Sequence, residues 1–142
     1  QSRMPPVPEI GDTCFARSYS AAHLRSHNRQ TISRIVLTSV NRRGQQPKLA
    51  KGAFEMVIGV QQRGTAQWAY SFAECTFRAN GYGCKVESDG GSFAVLDRSD
   101  GTVRLATSGS IRMETTRGHI EFGDDYSDDN IFVLSPAACR SR

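Results

Sequence analysis

Four cysteines, at positions 14, 75, 84 and 139, constrain this chain more than any other feature. Cys75 and Cys84 bracket a short turn-like stretch, and Cys14 and Cys139 stand near the two ends. Four cysteines permit three pairings. The closeness of the middle pair across a turn favours Cys75–Cys84, with Cys14–Cys139 as an outer bridge around it. Stable disulfides need an oxidising compartment, so the expected location is the periplasm of a bacterial envelope or the secreted fraction. In the chain-entropy model an inner loop of about 10 residues is worth roughly 2.7 kcal/mol, and an outer loop of about 126 residues roughly 4.9 kcal/mol. The chain has 142 residues. That is enough for one domain with a real core, so the bridges add to packing rather than replace it.

The chain opens on Gln1 rather than Met, as a chain trimmed of a signal peptide would. No apolar run approaches the roughly 20 residues of a helical membrane span. Charge is uneven. Residues 1–63 hold ten Arg/Lys and three Asp/Glu, and residues 64–142 hold eight and eleven. A basic front half attracts acidic partners or polyanions, although a modest net charge also serves ordinary solubility.

Pro5, Pro6 and Pro8 make residues 1–12 an extended lead-in to a single domain over 13–142. Ser20 to His27 reads as a short helix with Ser18 or Ser20 as its N-cap. From residue 31 the hydrophobic period becomes two. Thr31–Val40 is rich in β-branched residues, and in Ala53–Gln61 one face carries Phe54, Met56, Ile58 and Val60. Trp68, Tyr70 and Phe72 share a face, while Cys75 and Phe77 fall on the opposite parity. A β-bulge near Ala73 would return them all to one side.

The second half is a run of five- or six-residue strands with turns at Asp89-Gly90-Gly91, Arg98-Ser99-Asp100-Gly101, Ser108-Gly109 and Arg117-Gly118. Val86, Phe93, Val95, Val103, Leu105, Ile111, Met113, Ile120, Phe122, Phe132 and Leu134 are the expected inward residues of this half, joining Phe54, Met56, Trp68, Tyr70, Phe72 and Phe77 from the first. Eight or nine short strands at this spacing make an all-β meander. Closure into a small up-and-down antiparallel β-barrel removes its edges, with a β-sandwich as the alternative. A barrel of eight strands is only wide enough for its own side chains or one small ligand.

Several groups suggest chemistry. Asn41–Gly52 is the longest connection between strong strands and carries Arg42, Arg43, Lys48 and Lys51, a candidate grip on an acidic protein partner. It lacks interleaved aromatics, which argues against single-stranded nucleic acid. Asp124, Asp125, Asp128 and Asp129 form an acidic loop that lacks EF-hand spacing. It reads as a second partner surface or a solvated turn rather than a calcium site. His23 and His27 share a helical face, but no third zinc ligand is local. Trp68 and Tyr70 would mark a barrel mouth if the barrel carries a small ligand. His119 with a cation such as Lys51 would suit a phosphodiesterase-type hydrolase. No Gly-x-Ser-x-Gly elbow is present, and the glutamates fall on outward faces. The expectation is an exported, non-enzymatic protein that needs no cofactor or metal and binds another protein, as an inhibitor of an envelope-directed enzyme would. A small-ligand carrier and a hydrolase are the alternatives.

Overall fold

The period-two runs do form strands. The computed structural model describes residues 10–40, 49, 51–115, 118–123 and 130–139. Among them the order is β1 (Ile10–Ser18), α1 (Ala21–Ser26), β2 (Ile32–Val40), β3 (Ala53–Gln62), β4 (Trp68–Arg78), β5 (Gly81–Val86), β6 (Ser92–Asp97), β7 (Val103–Ser108), β8 (Ile111–Thr115), β9 (Gly118–Phe122) and β10 (Ile131–Pro136). Eight strands close an antiparallel barrel in the ring order β1-β10-β7-β6-β5-β4-β3-β2, and β8–β9 stands apart as a two-stranded hairpin. The expected up-and-down barrel is therefore present, and the sandwich is not. Strand β1 already starts at Ile10, inside the stretch read as a lead-in, and pairs with β2 through an irregularity between Ile10 and Cys14. Strands β1 to β4 run 9, 9, 10 and 11 residues, longer than the short strands expected.

The interior is filled by side chains. Ile35, Leu37, Ile58, Val60, Phe93, Val95, Leu105, Phe132 and Leu134 belong to one buried cluster. Ile111, Met113, Ile120 and Phe122 belong to it as well, although their strands are not barrel staves. The hairpin is amphipathic at period two. It lays its apolar face over one end of the barrel and turns Arg112, Glu114, His119 and Glu121 to solvent. Its anchors are the Arg112 N–H, which donates to Gly90 O at 2.9 Å, and Gly123 O just after β9, which accepts from the Thr107 hydroxyl at 2.8 Å. Helix α1 sits at the same end. Ser20 caps it by accepting from the His23 N–H. Arg63 Nη1 donates to His27 O at 2.9 Å and to Gln30 O at 3.3 Å, tying the helix to the β3–β4 turn. We call this the capped end.

Strand β4 corrects one expectation. Its register with β3 runs unbroken from Ala53↔Thr76 to Gln61↔Trp68, so no bulge occurs at Ala73. Ala69, Ala73 and Cys75 face the interior cluster, and Trp68, Tyr70 and Phe72 therefore lie on the outer wall rather than pointing inward as expected, with Trp68 and Tyr70 lining no lumen mouth. The reason is steric. β8 packs against β4, and small residues on β4 leave the hairpin its room. The aromatics find cover outside instead. A Cβ at Gly59 would stand 2.7 Å from the Tyr70 ring and 2.9 Å from Val36 Cγ2, so the ring lies across that glycine. Glycine in a strand commonly marks such an approach. Trp68 stacks parallel to Tyr70 at 5.9 Å, with the Arg34 guanidinium 5.0 Å from the Trp68 ring.

Gly59→Ala should cost about 1–3 kcal/mol, because the methyl must displace a packed ring. Tyr70→Phe should cost nothing or stabilise by up to about 1 kcal/mol, since the Tyr70 hydroxyl is buried without a hydrogen-bond partner among the described residues. Urea unfolding of the two variants checks both.

Both disulfides form as expected, Cys14–Cys139 and Cys75–Cys84. The first links the middle of β1 to the segment after β10 with a Cα–Cα distance of 5.4 Å. The second joins directly opposed residues of β4 and β5 at 4.1 Å and is buried in the interior cluster.

Candidate functional site

The end opposite the cap presents the β4–β5 turn at Ala79–Asn80 and the β6–β7 turn at 98–102. We call it the rim. The β3–β4 ladder ends at Ala53↔Thr76 while β4 runs on with β5 to Arg78↔Gly81, and the last interior-parity side chain of β4 is Phe77. At this end the strand pair projects as a hairpin tip, so Phe77 is 75% exposed. Its ring rests on Phe54 at 4.6 Å, and Phe54 meets Tyr82 edge-on at 5.2 Å. Phe77 and Tyr82 are paired neighbours, and Cys75–Cys84 crosses the same two strands just below them. An exposed aromatic on a covalently stapled hairpin gives up little conformational freedom when it binds, which favours affinity.

Burial, with a smaller contribution from the Asp97 carboxylate, pushes the Tyr82 phenol up to about 12. Burial against Gly59, opposed by Arg34, pushes Tyr70 up to about 12 as well. The folded protein holds these protons where an unfolded chain releases them, near pH 10. The associated stability is therefore complete below about pH 10 and is lost as pH rises toward 12. Of the four tyrosines, two should ionise late: absorbance at 295 nm should show a fraction titrating near 12, and denaturant midpoints should fall over the same interval.

The sequence candidates are distributed between the two ends. Arg42, Arg43 and Lys48 lie outside the described residues, and Lys51 is exposed just before β3. Their segment joins Val40 to Ala53, residues at the rim. Asp124, Asp125, Asp128 and Asp129 also lie outside the described residues, in a segment that joins Gly123 to Asn130 at the capped end. The basic and acidic connections thus leave from opposite ends of the barrel. His119 is on the exposed face of the hairpin, 3.7 Å from Glu121 Oε1. That places it at the capped end, away from Lys51, so the fold does not bring the two together. Trp68 and Tyr70 are on the outer wall, as above.

His23 and His27 do share a face, stacked at 3.9 Å. His23 Nε2 bonds Gln30 Oε1 at 3.0 Å, and His27 Nδ1 bonds His23 O at 2.8 Å. The pair docks the helix, and among the described residues no group of three His, Cys, Asp or Glu side chains could hold a metal. No described helix is long and apolar enough to cross a membrane.

Sequence reading placed Phe77 in the interior and did not single out Phe54 or Tyr82. The available signal was position: Phe77 follows Cys75 by two residues and precedes a turn, where a strand outruns its barrel. Comparison with protein families, curated proteins and solved structures gave no match, so the chain's own geometry carries the functional reading.

Proposed function

We propose that this is an exported, non-enzymatic binding protein that recognises another protein through its rim. The observation that carries this reading is Phe77, a 75% exposed aromatic seated on Phe54 and held on a disulfide-stapled hairpin. Large aromatics set in this way are the usual anchors of protein interfaces. The basic connection 41–52 departs from the same end. A partner site with an apolar pocket bordered by carboxylates complements that combination of ring and cations. Such a site is what the active cleft of an envelope-directed hydrolase offers an inhibitor. The disulfides fit action in an oxidising compartment, periplasmic or secreted.

The test is capture. The oxidised protein and its Phe77→Ala variant are immobilised and exposed to an extract of the source cells' envelope and medium. A partner that depends on the rim is retained by the first and lost from the second. With the partner purified, Phe77→Ala should weaken binding by about 30- to 1,000-fold. Neutralising Arg42, Arg43, Lys48 and Lys51 should slow association and flatten its salt dependence. Equal retention by both proteins would remove the rim from the interface.

A further inference from the structure

A second surface lies on the outer wall, on strands β4 to β7. Directly paired residues form three rows there. Thr76, Gly83 and Ala94 make a floor of small side chains. Glu74, Lys85, Ser92 and Ser108 make one bank. Arg78 stands on the other. The gap left by Gly83 and Ala94 between longer neighbours is a trough of about 430 Å³, within the usual size of small-molecule sites.

The state of its cations singles it out. A Cβ placed on Gly83 would lie 2.6 Å from Arg78 Cζ and Nη2, so the guanidinium is folded back flat over the glycine, into the trough. Among the described residues neither Arg78 nor Lys85 has an ion pair or a side-chain hydrogen bond. Lys85 is two residues from Gly83 on the same face, about 7 Å along the strand. A planar fork of N–H donors and an ammonium thus bracket one space, with the hydroxyls of Thr76, Ser92 and Ser108 along it. Glu74 on the bank opposes a large negative charge and limits the site to a single anionic group.

We propose that this trough binds a small hydroxylated ligand carrying one oxyanion, with the oxyanion on Arg78 and Lys85 and the ligand's hydroxyls against Thr76, Ser92 and Ser108. Phosphate, sulfate and carboxylate share the chemistry the fork recognises. The site is independent of Phe77, which points from the other face of β4.

Titration of the oxidised protein with inorganic phosphate, inorganic sulfate, glucose 6-phosphate and glucuronate, followed by amide chemical shifts, tests it. The expected result is saturable movement of the Gly83, Lys85 and Ala94 amides, tightest for one of the two sugars. Comparing the two sugars separates a phosphate-bearing ligand from a carboxylate-bearing one. Arg78→Gln should weaken binding about tenfold or more. Arg78→Lys, which keeps the charge and loses the fork, should weaken it less, and Glu74→Gln should tighten it. Arg78 and Glu74 are both exposed, so these variants should fold. Shifts that never saturate, or equal affinity in wild type and Arg78→Gln, overturn the assignment.

Discussion

Replacing Cys14 and Cys139 by alanine should lower the unfolding free energy by about 5 kcal/mol, the largest loss from removing either bridge. The bridge spans 125 positions of sequence, so its removal frees nearly the whole chain in the unfolded state. It also clasps the seam of the barrel, where β1 and β10 share the pairs Phe15↔Pro136 and Ala16↔Ser135. Replacing Cys75 and Cys84 removes a bridge of only 9 positions and should cost about 2.7 kcal/mol in the same model. Urea midpoints of the two double variants give the comparison, and a larger loss for the inner pair would show that packing around it outweighs chain entropy. Access differs too. Cys75 is fully buried and Cys84 is 3% exposed, whereas Cys139 is half-buried in the segment after β10. A mild reductant under native conditions should open Cys14–Cys139 first, which alkylation and peptide mapping would detect.

Phe122→Ala should cost about 3–5 kcal/mol, the range for deleting a buried phenyl ring. Phe122 is 2% exposed on the capping hairpin and meets Phe132 of β10 edge-to-face at 6.0 Å. It is therefore the side chain through which the hairpin grips the stave it precedes. If the hairpin is a true cap, the loss should come with faster hydrogen exchange at amides of β4 and β10 near that end. A double-mutant cycle with Phe132→Ala should show coupling of about 0.5–1.5 kcal/mol beyond the separate losses. A cost under 1 kcal/mol with unchanged exchange would mean that the barrel closes without its cap.

The barrel and both disulfides were legible because their signals are local: parity along each strand, and two cysteines across a turn. The inward positions from Val86 to Leu134 follow parity and are buried. Two features escaped for non-local reasons. The 111–122 segment alternates like any stave, and parity cannot tell a stave from a lid that buries one face. That lid in turn decides β4. With the interior already supplied by Ile111, Met113, Ile120 and Phe122, β4 contributes alanines, and its aromatics lie outside, Tyr70 across Gly59 and Trp68 stacked on Tyr70. The bulge inferred at Ala73 came from assuming that rings belong inside. Phe77 shows the reverse case, an interior-parity ring that reaches past the barrel's end. The trough around Arg78 was also invisible in sequence, since it depends on which residues of four strands stand opposite one another.

The outer bridge has a mechanical consequence. Cys14 and Cys139 are 5.4 Å apart at Cα, while nearly the whole barrel is threaded between them. A pull on the chain ahead of Cys14 and beyond Cys139 travels through the sulfur–sulfur bond and bypasses every strand except the Ile10–Thr13 start of β1. With the bridge closed, tension between the two ends of the chain would leave the strands inside the bridge undistorted. With the bridge open, the same tension would fall on the β1–β10 seam and unzip the barrel there.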